Sequence, residues 1–106
     1  MLRFIIHYGI HFLVPIFIGY LCYPKKRFWA IVILLSGLVI DIDHLWANPV
    51  FDPDRCSIGF HFLHGYLAIG FYTLLLAHTK TRIFGWAFLI HILADFVDCV
   101  LLRLQF

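Results

Sequence analysis

Charge is scarce in this sequence: 13% of its 106 residues are charged, against 63% hydrophobic. A water-soluble domain covers its surface with about twice that share of charge. The formal net charge of +2 is too small, and its charges too scattered, to mark a nucleic-acid-binding surface. Cys22, Cys56 and Cys99 show no CxxC spacing and no zinc-finger pattern. There is no internal repeat and no low-complexity tract. The first apolar run lacks a small-residue cleavage site and contains His7 and His11, so it reads as a permanent span rather than a signal peptide.

What is present is apolar length. The mean hydropathy is +0.94, and twelve Phe, five Tyr and three Trp suit lipid contact and the interfacial belt. A helix needs about 20 apolar residues to cross the hydrocarbon core. Four runs meet that need, at about 2–22, 28–46, 58–78 and 83–103. Only helices or closed barrels satisfy backbone groups in lipid, and runs this long are helices. The expected fold is all-α, an integral membrane four-helix bundle occupying 1–106 as a single transmembrane domain. A bundle this small either closes on itself or completes itself as a homo-oligomer.

Orientation follows from the basic residues. Lys25, Lys26, Arg27, Lys80 and Arg82 fill the first and third connections, while Arg3, Arg55 and Arg103 lie on the other side. The positive-inside rule puts the first group in the cytoplasm. The expectation is a multi-pass protein of the bacterial inner membrane with both termini and the 47–56 loop outward.

The ionisable residues within the spans gather toward that outer side. His7 and His11 sit near the start of the first span, Asp41, Asp43 and His44 near the end of the second. His61 and His64 open the third, and His91, Asp95 and Asp98 run outward along the fourth. Spacings of i, i+4 (His7, His11), i, i+3 (His61, His64) and i, i+4, i+7 (His91, Asp95, Asp98) each define one helix face. Asp41 and His44 also share a face. Asp43 points about 160° away from Asp41 on a regular helix, so it serves another shell or ion, or the helix opens there.

Energy points to a cation. A centrally placed aspartate costs about 2.5–3.5 kcal/mol on insertion scales, so four cost on the order of 10 kcal/mol. Divalent metal binding is worth roughly 10 kcal/mol or more in zinc-binding peptides. The metal donors expected are His11, Asp41, His44, His61, His64, His91 and Asp95, with Asp43 and Asp98 as catalytic carboxylates that bridge, orient a histidine or act as general base. Mixed imidazole and carboxylate donors without cysteine fit zinc best, with manganese or iron as alternatives, and the number of donors favours two ions. His7 alone reads as a histidine bonded across to a neighbouring helix. His78 reads as an ordinary turn residue, Asp52 and Asp54 as loop or capping residues, and Cys22 as a small apolar residue. Cys56 and Cys99, both near the outer face, are either a disulfide or two separate thiols.

The segments Ile6–Phe12, Asp41-Ile42-Asp43-His44, Asn48–Pro53 and Arg55–His61 (RCSIGFH) carry a resemblance. Over nearly its whole length the chain resembles small bacterial membrane proteins of unknown function with a DLDH-type second span. More distantly it is similar to the YdjM-like family, described as inner-membrane metal-dependent hydrolases. The matching pieces there are His11, the D-x-D-H at Asp41, Asp43 and His44, and the later H-x-x-H. Phe62 and Gly65 stand where that family often has arginine and serine, so no arginine clamp for an anion is evident unless Arg55 serves. His91-x-x-x-Asp95 also resembles the His-x-x-x-Asp of zinc-dependent phospholipase C and P1-type nucleases, an analogy that implies phosphate-ester hydrolysis.

The expected function is therefore a membrane-embedded metal-dependent hydrolase acting on a phosphate ester or lipid at the outer face. The alternative is a non-catalytic metal protein (sensor, carrier or channel). A cytoplasmic half that is apolar apart from Ser36, Thr73 and small residues counts against conduction. Haem is disfavoured because its iron needs only one or two axial donors.

Overall fold

A computed structural model describes residues 2–48, 55, 56, 58, 59 and 61–104. Asp52, Asp54 and the two prolines beside them lie outside these residues. The described chain is helical, with no strand among the described residues. Helix α1 (Leu2–Cys22) is followed by α2 (Arg27–Leu35), which runs on as a 3₁₀ segment (Ser36–Trp46). A short 3₁₀ turn (Phe62–His64) leads into α3 (Tyr66–Leu75), and α4 (Arg82–Arg103) closes the chain. Leu2–Cys22, Arg27–Trp46 and Arg82–Arg103 are long and apolar enough to cross a membrane.

The third expected span, 58–78, takes a different form. Its regular helix is only Tyr66–Leu75, about 15 Å long at 1.5 Å per residue. The approach to it is irregular. Gly59 has φ +80°, a conformation that favours glycine, and Gly65 is extended where α3 begins. His61, expected on a helix face, is extended too. The Tyr72 hydroxyl donates to the Leu63 carbonyl at 2.9 Å, tying this stretch to α3.

The second expected span, 28–46, is also not one regular helix. Its C-terminal half, Ser36–Trp46, is wound to three residues per turn, and the burial pattern follows that period. Gly37, Ile40 and Asp43 are buried, Leu38, Asp41 and His44 are half-buried, and Val39, Ile42 and Leu45 are exposed. A 3₁₀ winding sets successive residues about 120° apart, so Asp41 and Asp43 are separated by about 120° rather than the 160° of an α-helix. Both carboxylates then flank the bundle interior.

Helix α4 is the centre of the fold, packed by α1, by α2 with its 3₁₀ extension, and by α3. Gly85, Ala87, Ala94 and Cys99 are among its buried positions, and small residues let helix backbones approach closely. Gly37 meets α4 at Ala87, where a Cβ on Gly37 would run into the Ala87 carbonyl oxygen. Leu34, Ala87 and Ile90 make one apolar cluster, and Ile40, Tyr72 and Ile92 make another. Cys56 and Cys99 form a disulfide, with Cα atoms 5.0 Å apart, that ties the segment before α3 to α4.

The distribution of polarity is inverted. His11, Asp43, His61, His64, His91 and Asp95 are buried, while Phe4, Phe17, Leu21, Phe28, Trp29, Leu67 and Leu74 are among the large apolar side chains exposed. Buried polar groups and broad exposed apolar surface are the two departures that carry information about a protein's surroundings.

Candidate metal centre

Three separate stretches of chain build the centre. Helix α4 presents His91 and Asp95 one turn apart on its buried side. The 3₁₀ segment presents Asp41 four residues beyond Gly37, and α4 presents His91 four residues beyond Ala87, which Gly37 meets. The turn Phe62–His64 adds His64, which is fully buried.

Asp43 fixes the third stretch. Its Oδ2 accepts the Leu63 backbone N–H at 2.7 Å and the His64 Nδ1–H at 2.8 Å. With Nδ1 protonated and engaged, Nε2 of a neutral His64 is a lone pair aimed at the centre. This carboxylate–histidine pairing is the usual way in which a metal-binding imidazole is oriented.

Around His64 Nε2 lie His91 Nε2 at 3.1 Å, Asp95 Oδ2 at 2.8 Å and Asp41 Oδ1 at 3.5 Å. His91 Nε2 is itself 2.9 Å from Asp41 Oδ1 and 3.3 Å from Asp95 Oδ2. A tetrahedral divalent ion with bonds of about 2.0–2.1 Å has ligand atoms roughly 3.3 Å apart. Five of the six separations among the donors of Asp41, His64, His91 and Asp95 lie near that edge length, at 2.8, 2.9, 3.1, 3.3 and 3.5 Å.

Hydrogen bonding alone leaves this arrangement incomplete. Asp95 Oδ2 is buried and makes no hydrogen bond in the described structure, although two imidazole nitrogens lie within 3.3 Å. Two Nε2 atoms 3.1 Å apart can share only one proton between them. A buried carboxylate needs positive charge close by, and a divalent ion at the common centre would supply it to Asp95 and to the half-buried Asp41 beside it. These residues fit a metal. His91 Nδ1 has no hydrogen-bond partner, so His91 lacks the support that Asp43 gives His64.

The remaining expected residues fall in two further groups and one ion pair. His11 joins His7 and Asp95 in a second potential metal group. His44 and His61 join Asp43 in a third, their rings stacked 4.0 Å apart and His44 Nδ1 3.2 Å from Asp43 Oδ1. Asp98 is in none of the three among the described residues. It pairs with Arg3 of α1 at 3.0 Å. His61 and His64, expected to act from one helix face, belong to different groups because their backbone is not helical.

Sequence reasoning assigned no metal role to His7, which now lies 3.1 Å from His11 through the two Nε2 atoms. Its i, i+4 spacing from His11 was the available signal. His78 is in an exposed turn, where its Nδ1 accepts the Lys80 backbone N–H at 3.1 Å.

Comparison with known proteins gives a family without a described activity. The chain belongs to a family of unknown function, DUF6122, whose pattern matches residues 1–102. No curated protein and no solved structure matches it.

Proposed function

We propose that this member of DUF6122 is a membrane-embedded, metal-dependent hydrolase acting on a phosphate ester or lipid at the outer face of the bacterial inner membrane. The observation that carries this reading is the convergence of Asp41, His64, His91 and Asp95 on one point. Three long apolar helices and the exposed apolar side chains support the membrane setting. Basic residues in the first and third connections favour outward termini. The Cys56–Cys99 disulfide favours an oxidising compartment for that end of the bundle.

Zinc suits the donor set best, with manganese or iron as alternatives. Such an ion, when bound, supplies Lewis-acid polarisation of water and of a phosphoryl oxygen. The protein's own residues hold and orient. Asp41, His64, His91 and Asp95 are the donors, and Asp43 is a positioning residue for His64. The Asp41 side chain is 43% exposed while those of His64, His91 and Asp95 are at most 7% exposed, so the approach to the centre is from the Asp41 side. Arg3, fixed by Asp98, stands one turn outward from His7 on α1 and offers a cation to an anionic headgroup.

The rival is a non-catalytic metal protein, a sensor, carrier or channel. One observation favours it: four protein donors fill a tetrahedral ion, as in structural zinc sites. The test is elemental analysis and phosphoesterase assay of detergent-purified wild type beside Asp41→Ala/His91→Ala. Bound metal with metal-dependent hydrolysis, both lost in the variant, is the expected result. Metal without hydrolysis of any phosphoester offered would favour the rival. No metal even after reconstitution would end both.

A further inference from the structure

Asp95 has two carboxylate oxygens, and they face different histidine pairs. Oδ2 belongs to the four-donor group with His64 and His91. Oδ1 faces α1, where it lies 3.7 Å from His7 Nε2 and 3.8 Å from His11 Nε2.

We infer that Asp95 bridges two metal positions, the second formed by His7, His11 and Asp95 Oδ1. The inference rests on the first group being a metal site. The second triangle has edges of 3.1, 3.7 and 3.8 Å, and one point lies about 2.1 Å from all three corners, the length of a metal–imidazole or metal–carboxylate bond. His7 and His11 are one turn apart on α1, so a single helix face delivers both rings. The His11 ring also packs against that of His91 at 4.3 Å between centroids, which keeps the two groups adjacent.

The two positions differ in a way that assigns them different work. The first has four protein donors, and the second has three. Catalytic zinc sites keep three protein donors and leave one position for water or substrate, whereas structural sites are closed by four. The second position is open on its His7 side, where the side chain is 21% exposed. The first ion would hold Asp95 in place, and the second would offer its open position beside the first, so that substrate at the centre would meet both. A carboxylate shared between two ions is a recurring device of two-metal hydrolases.

A plain hydrogen bond between His7 and His11 is the competing account of their 3.1 Å contact. Metal stoichiometry separates the two. Detergent-purified full-length protein is stripped with chelator, reloaded with Co²⁺, freed of excess ion, and measured by mass-spectrometric metal content and visible ligand-field absorption. Wild type is expected to hold two equivalents, and His7→Ala one, with loss of the part of the spectrum due to the second ion. His7→Gln, which keeps side-chain bulk, is expected to show the same loss. Asp95→Ala is expected to lose both. A wild type holding one equivalent, or a His7→Ala holding as much as wild type, overturns the second position and leaves the first reading intact. A wild type holding none overturns both.

Discussion

The carboxylate of Asp43 receives the Nδ1–H of His64 at 2.8 Å, across 21 positions of sequence, with both side chains fully buried. This contact sets which imidazole nitrogen faces the centre. It is made possible by the 3₁₀ winding of Ser36–Trp46, which turns Asp43 inward without turning Asp41 out.

Asp43→Asn keeps the size of the side chain and removes its charge. The donors remain, but His64 loses its charged orienting partner. Metal affinity is expected to fall about 10–100-fold, with stoichiometry recovered at high metal concentration. Titration against a chromophoric chelator measures this; an unchanged affinity would show that Asp43 has no orienting role.

Gly37→Val places a side chain against the Ala87 carbonyl oxygen. Separating the 3₁₀ segment from α4 there also moves Asp41 from His91, one turn away. A stability loss of about 1–3 kcal/mol is expected, together with loss of metal. Gly9→Ala is the control, because a Cβ at Gly9 meets nothing within 4 Å. Thermal melts and metal content of the two variants side by side are the check, and equal behaviour would contradict the packing described.

Breaking the disulfide should loosen the His64-bearing segment. The bond joins residues 43 apart, and linkages of this kind typically contribute about 2–4 kcal/mol. Cys56→Ser or added reductant is expected to lower the melting temperature and to weaken metal retention. Cys22→Ser is expected to change neither, since Cys22 is exposed and unbridged. A reductant-insensitive melt in protein shown by mass spectrometry to be reduced would count against the tether.

Acid should release the metal. Each imidazole donor must give up a proton to bind, so protons compete with the ion and affinity rises with pH until the histidines are neutral. Two histidines in the first group give a limiting slope of about two logarithmic units of affinity per pH unit on the acid side. Chelator competition across a pH series reads that slope. A flat profile through the range where imidazoles protonate would mean that His64 and His91 do not bind the ion.

Much of the helical layout was legible because apolar run length is a coarse and robust signal. The expected 2–22 and 83–103 correspond to helices Leu2–Cys22 and Arg82–Arg103. Backbone winding was less legible. The conflict between Asp41 and Asp43 on an ideal α-helix was visible in Asp-Ile-Asp-His, but its resolution depends on Gly37 docking at Ala87, a contact between distant residues. The His61/His64 pair misled because i, i+3 spacing implies a shared face only on a helix, and His61 is extended, outside the short 3₁₀ turn that carries His64. His7 was set aside as a lone histidine; its relation to Asp95 exists only once α1 lies against α4.

The centrality of α4 bears on how the protein is made. Asp95 and Asp98 both lie on α4, and two aspartates make a helix a poor candidate for independent entry into lipid. Arg3, His7 and His11 lie on α1, which is synthesised before α4. The nascent α4 would therefore meet a helix that already carries a guanidinium for Asp98 and two imidazole nitrogens for Asp95. Chains lacking α1 are expected to misplace α4 itself, and not merely to lose the contacts made by Arg3, His7 and His11.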